Sequence, residues 1–160
     1  MIIQLLLLLF TVMTPINVTG RGKKQTLEAL ELLKTKAPDF YKEVSTYIKV
    51  IKGVEKGSGM EAFADPPTFL AGDKTRDYSP VWYAGCIVHD TVHSKLYHEY
   101  LRQHPGKKVP ARAWMGKKSE GICIDQQIAV LQKLNAPQHM IDHANRERES
   151  GYWHTKERFW

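Results

Sequence analysis

The sequence predicts a mainly helical α+β domain, on three observations. Apolar residues recur at helical spacing along most of the chain. Extended character is confined to a short stretch between Met60 and Leu70-Ala71, interrupted by Pro66-Pro67. The 160 residues carry no internal repeat and no sign of a second domain, so one core is expected.

The chain opens with an apolar stretch, Leu5 to Phe10 followed by Thr11-Val12-Met13, too short to span a bilayer in comfort and ended by Pro15. Val18 and Gly20 are small enough for the −3 and −1 positions of a secretory cleavage site. Residues 1–20 are therefore read as a signal peptide and residues 21–160 as a single domain. The expected location is secreted or periplasmic, with no stable membrane span after cleavage. The first positive charges, Arg21, Lys23 and Lys24, come after the apolar run, a pattern that would also suit a weak signal anchor.

Two helices follow. Thr26 to Lys36 carries Leu27, Leu30 and Leu33 at helical period, and Asp39 to about Lys52 carries Phe40, Val44, Tyr47, Ile48 and Ile51. Pro38 separates them and suits the start of the second. Gly53 to Gly59 is a glycine-rich break, Thr68 to Ala71 the expected edge strand, and Gly72-Asp73 a turn. Ser79-Pro80 then signals a helix start, with a capping hydroxyl before a proline at the first helical position. That helix should run from Pro80 to about Gln103 and stop before Pro105-Gly106. A basic loop, Lys107 to Lys118, holds Trp114 and Met115. Ser119 can cap a further helix, Glu120 to Leu134, and Asn135-Ala136-Pro137 restarts a more polar one through Glu149. Gly151 to Trp160 is an aromatic-rich tail.

The formal net charge is +6, but the Lys and Arg residues are scattered. No basic stripe with interleaved aromatics appears, so nucleic acid is not an expected partner.

The chemistry concentrates in His89-Asp90-Thr91-Val92-His93. Histidines four apart share one helix face, so both imidazoles can reach one metal ion. Around them the helix is apolar (Val81, Trp82, Ala84, Ile87, Val88, Val92, Leu96), and buried imidazoles and carboxylates need partners or an ion. Glu120, on the next capped helix, could complete a three-ligand open metal site with His89 and His93, leaving a position for water. Asp90 could act as general base. A second pair, His139 and His143, sits among Gln138, Asn145, Arg146, Glu147 and Arg148 and reads as solvated surface.

Cys86 lies three residues before His89, and Cys123 three after Glu120. If the two helices run antiparallel with His89 facing Glu120, both sulfurs come level and a disulfide is expected, which export would permit. Two buried free thiols are the alternative.

These residues match a family pattern. The stretch resembles the zincin metallopeptidases, in particular a group of small secreted zincin-like proteins of bacterial type. The likeness rests on Gly59-Met60, Pro66-Pro67-Thr68-Phe69, Ser79-Pro80-Val81-Trp82, the His89–His93 motif and Glu120-Gly121-Ile122-Cys123, and spans most of residues 58–137. It implies a helical domain with one short edge strand or small sheet packed on the metal-binding helix. It also implies His89, His93 and Glu120 as zinc ligands, Asp90 as base, and a peptide or protein substrate aligned along the strand at Thr68 to Ala71. Tyr152 and His154 are candidate oxyanion helpers. The departure is Asp90, where zincins ordinarily carry glutamate; aspartate is one methylene shorter.

Two readings compete with a secreted zinc hydrolase. A non-catalytic metal-binding or structural module would use the same cluster. A phospholipase A2-like calcium-dependent lipase would use Cys86-Ile87-Val88-His89-Asp90, which matches the Cys-x-x-His-Asp string of that family. That string lacks its usual second cysteine here, since Val92 stands in its place, and it leaves His93 without a role. A His-Asp phosphohydrolase needs an earlier histidine, and His89 is the first in the chain.

Overall fold

The computed structural model describes residues 15–151. Helix α4 (Pro80–Gln103) is the axis on which the other elements pack. Its start follows from local chemistry: Ser79 Oγ accepts a hydrogen bond from the Trp82 amide at 3.0 Å, and Pro80 stands where no amide donor is needed. Every residue from Trp82 to Ser94 is buried, as expected of a helix covered on all sides.

One side of α4 packs, through Tyr83 and Ile87, against Leu33 of α1 (Lys23–Lys36), Val44 of α2 (Pro38–Tyr47) and the sheet. Another side packs, through Trp82 and Cys86, against Ile124 and Leu131 of α5 (Lys117–Lys133) and Met140 of α6 (Gln138–Ser150). A short helix α3 (Asp73–Arg76) precedes α4, and one 3-10 turn, Ala111–Ala113, lies in the basic loop. The mainly helical α+β class is as expected. Among the described residues, no helix is long and apolar enough to cross a membrane.

Four strands form one sheet: β1 (Asn17–Gly20), β2 (Val50–Gly53), β3 (Gly59–Glu61) and β4 (Thr68–Ala71), in the order β1-β2-β4-β3. β1, β2 and β4 are parallel, and β3 is antiparallel to β4 with Met60 opposite Phe69. Parallel neighbours need a crossover, which α1 and α2 supply between β1 and β2.

The sheet departs from expectation at three places. The second helix stops at Tyr47: Ile48 is already extended (φ −117°, ψ 125°), and Val50-Ile51 become strand β2. Ile48 and Ile51 continue a helical period, but β-branched residues suit a strand paired on both sides. The edge strand is corrected from Thr68–Ala71 to Gly59–Glu61. Pro66 and Pro67 precede β4 and so remove no donor from its ladder, which leaves β4 free to pair on both sides. The end of the stretch read as a signal peptide, Asn17–Gly20, is β1, so a cut after Gly20 would strip an edge strand from the sheet. Residues 1–14 lie outside the described residues.

Helix α5 starts at Lys117, after Gly116 at a positive φ of 87° that favours glycine, so Ser119 lies in its first turn and does not cap it. Gly85 of α4 lets α5 come close: a β-carbon there would stand 3.0 Å from Leu131 Cδ2 and 3.4 Å from Gln127 Cγ. Gly85→Val should therefore lower stability by about 1–3 kcal/mol through overpacking. Gly85→Ala should cost less, since helix propensity returns roughly 1 kcal/mol. Urea midpoints read this directly, and a Val variant as stable as wild type would show that the helices have room to spare.

Candidate metal centre

Most buried polar side chains of α4 find partners within the protein. The Tyr83 hydroxyl meets Thr26 Oγ1 at 2.9 Å, Thr91 Oγ1 donates to the Ile87 carbonyl at 2.7 Å, and Ser94 Oγ donates to the Tyr47 carbonyl at 2.7 Å. His89, Asp90 and His93 lie close to Glu120, and all four are buried. Helices α4 and α5 run antiparallel, which sets His93 against Glu120, His89 against both Glu120 and Gln127, and Cys86 against Gln127.

The two imidazoles are held by their Nδ1 atoms. His93 Nδ1 donates to the Trp114 carbonyl at 2.6 Å, an oxygen that can only accept. His89 Nδ1 donates to Gln127 Oε1 at 3.0 Å, while Gln127 Nε2 points to Cys86 Sγ at 3.8 Å. With Nδ1 protonated in each neutral ring, both Nε2 atoms carry lone pairs, and both face Glu120. The separations are 3.3 Å from His89 Nε2 to Glu120 Oε2 and 3.5 Å from His93 Nε2 to Glu120 Oε1.

Lone pairs facing a carboxylate repel unless positive charge lies among them. That charge could be a proton on a ring or a metal ion. The distances help to separate the two. A charge-assisted N–H···O bond is usually about 2.7–2.9 Å, whereas donors around a tetrahedral zinc, with bonds of roughly 2.0–2.1 Å, stand about 3.3 Å apart. The observed separations exceed the first spacing and come near the second, each to a different oxygen of Glu120. The Nδ1 partners also fit, because a metal-binding histidine ordinarily gives its other N–H to a carbonyl or carboxylate.

One donor was not anticipated as such. A ring nitrogen of His89, a ring nitrogen of His93 and Cys123 Sγ all lie within 4.8 Å of one another, and all three residues are buried. Cys123 follows Glu120 by three residues and so shares its face of α5. The expected disulfide is not formed: Cys86 and Cys123 are both free. The helices pair one turn away from the assumed register, so Cys86 meets Gln127, four residues beyond Cys123, and Cys123 turns toward the imidazoles.

Asp90 lines a cleft of about 290 Å³ together with His93 and Glu120. Across the cleft stand edge strand β3 with Gly57 and Ser58 before it, Leu70 of β4, and Trp114 and Met115 of the basic loop. Trp114 is wedged edge-on against Tyr97 and His93, at ring separations of 5.3 and 6.5 Å, which steadies the carbonyl that holds His93. Tyr152 and His154 lie outside the described residues. On α6, His139 is exposed and His143 packs edge-on against Trp82 at 5.2 Å, in keeping with a surface reading.

Ionisation follows the same geometry. Burial opposes the charged carboxylate of Glu120, but the facing His89 and His93 rings outweigh it and hold the group well below its ordinary value of 4.5. Burial likewise opposes a charged His93, but Cys123 and Glu120 outweigh it and raise the ring well above 6.5. Burial raises both thiols, Cys123 against the pull of His93 and Cys86 with the added repulsion of Asp90. Without an ion, then, a charged His93 and Glu120 pair; with one, His93 must give up its proton to bind.

The chain is a small helical α+β domain in which His93 and Glu120 line a cleft, His89 faces Glu120, and Cys123 lies near both imidazoles. No protein-family model, no curated protein and no solved structure matches the chain.

Proposed function

We propose that this chain is an exported zinc-dependent hydrolase that cleaves peptide bonds, a zincin-like metallopeptidase. The observation that carries the reading is the Glu120 carboxylate set between two Nε2 atoms at 3.3 and 3.5 Å, each ring oriented through Nδ1 by a carbonyl oxygen. His89, His93 and Glu120 would hold the ion. Zinc, when bound, lowers the pKa of water and polarises a carbonyl. Asp90, at the cleft wall beside His93 and Glu120, takes the proton from the attacking water on its carboxylate. Edge strand β3 lines the same cleft, so an extended peptide can pair with its free backbone edge and lay its scissile bond over the cluster.

The lipase alternative has weaker support. Calcium takes six to eight oxygen ligands, and this cluster offers ring nitrogens and a thiol beside its carboxylates. The non-catalytic metal module keeps one specific observation in its favour, the thiol of Cys123 among the donors, which suits a closed site.

Asp90→Asn tests the catalytic reading against that alternative. It should retain wild-type zinc content and lose hydrolysis of a mixed peptide library by on the order of 100-fold or more, the usual share of a general base. Asp90→Glu should restore or exceed wild-type cleavage. Zinc-loaded wild type that cuts nothing, or an Asn variant as active as wild type, would sink the peptidase and leave the metal module.

A further inference from the structure

We infer that Cys123 is a fourth protein donor to the ion, so that the resting centre has a closed shell of two nitrogens, one oxygen and one sulfur. This rests on the metal reading above and concerns how the site is regulated. The sulfur lies within 4.8 Å of ring nitrogens of both His89 and His93, in a residue with no solvent exposure. It sits one turn along α5 from Glu120, on the face that meets α4, and no disulfide consumes it. The other cysteine, Cys86, is separated from the cluster by Gln127, which it contacts at 3.8 Å. The helix register therefore offers one thiol to the ion and withholds the other.

Two consequences follow. Thiolate is a soft donor, so the set favours zinc or cobalt over magnesium, calcium or manganese. Binding breaks the Cys123 S–H bond, the sulfur pair bonds the metal, and the proton passes to solvent. A four-donor shell would leave no open position at rest, so a substrate carbonyl would have to displace Cys123 to reach the ion. The thiol then acts as a gate whose release opens the site.

Cobalt substitution of the purified protein tests this without any turnover assay. Wild type loaded with one equivalent of Co²⁺ should show thiolate-to-metal charge-transfer absorption in the near ultraviolet. Cys86→Ser should keep that band. Cys123→Ser should lose it, bind zinc on the order of 100-fold more weakly in a chelator competition, at the upper end of what lost supporting contacts cost metal sites, and gain an open position. Added azide should then change the visible spectrum of Cys123→Ser and leave wild type unchanged. One bound cobalt without a thiolate band, or azide binding equally well to wild type, overturns the gate while leaving the metal site standing. Failure of wild type to bind cobalt or zinc at all would instead remove the metal reading on which the gate depends. The band in wild type together with its persistence in Cys86→Ser decides the question should Cys123→Ser not fold.

Discussion

Zinc content should fall from about one ion per chain in wild type to near zero in His89→Ala and in Glu120→Ala, as expected for loss of one of few protein ligands. Elemental analysis after dialysis against a mild chelator reads this. The effect should also appear in stability, because an ion that binds only the folded chain adds about 4 kcal/mol at a thousandfold excess over its Kd. At roughly 2–4 °C per kcal/mol for a chain of this size, wild type should gain on the order of 10 °C in Tm with zinc, and the variants almost nothing. Glu120→Gln is the sharper control, since it keeps the shape of the side chain and removes the charge set between the two Nε2 atoms. The metal-free state should suffer in Glu120→Ala as well, because it leaves a buried His93 without its carboxylate; breaking such a pair costs about 3–5 kcal/mol. Full zinc occupancy in both alanine variants would show that the ion, if any, sits elsewhere.

How much of this centre could be read from the sequence depends on how local each signal is. His89 and His93 share a face because four residues make about one turn, and α4 carries its own start signal in Ser79-Pro80, so helix and pair were both legible. Glu120 was legible as an acid on the next helix. The register between α4 and α5 was not, because it depends on how side chains such as Leu131 seat against Gly85, and nothing along one strand of sequence encodes that contact. A slip of one turn was enough to change Cys123 from a disulfide partner of Cys86 into a neighbour of both imidazoles. The spacing Glu120-x-x-Cys123-x-x-x-Gln127 puts all three on one helical face, which was the available clue to both the extra donor and the glutamine that steadies His89.

The sheet illustrates a different limit. Val50 to Gly53 is four residues long and sits in phase with the helix before it, so periodicity alone carries the helix through it. Its strand character comes from partners on both sides, β1 and β4, which are distant in sequence. The edge strand was misplaced for a related reason: Pro66-Pro67 marks a chain that cannot donate, but it precedes β4 instead of lying within it. The consequence for function is direct, because β3 is one of the two edge strands and lines the cleft beside His93 and Glu120.

Zinc should reverse the way stability responds to pH. In the metal-free protein, Glu120 has a depressed folded-state pKa, so its contribution is present above its ordinary 4.5 and is lost as pH falls through the folded value. His93 has a raised one, so its contribution is complete below its ordinary 6.5 and is lost as pH rises through the folded value. The pair therefore stabilises the metal-free fold most between about 4.5 and 6.5, and that contribution fades on the alkaline side. An ion requires the opposite of His93, an unprotonated ring, and requires the same of Cys123 if it binds, so zinc stabilisation must grow with pH across the range where the metal-free pair weakens. Melting the chelator-treated and the zinc-loaded protein at pH 5.5 and at pH 8 separates the two states. The gap in Tm between them should be small at the lower pH and widest at the higher. A gap that stays constant, or narrows toward pH 8, would mean that protons and metal do not compete for these side chains, and the cluster would then be an ion pair and nothing more.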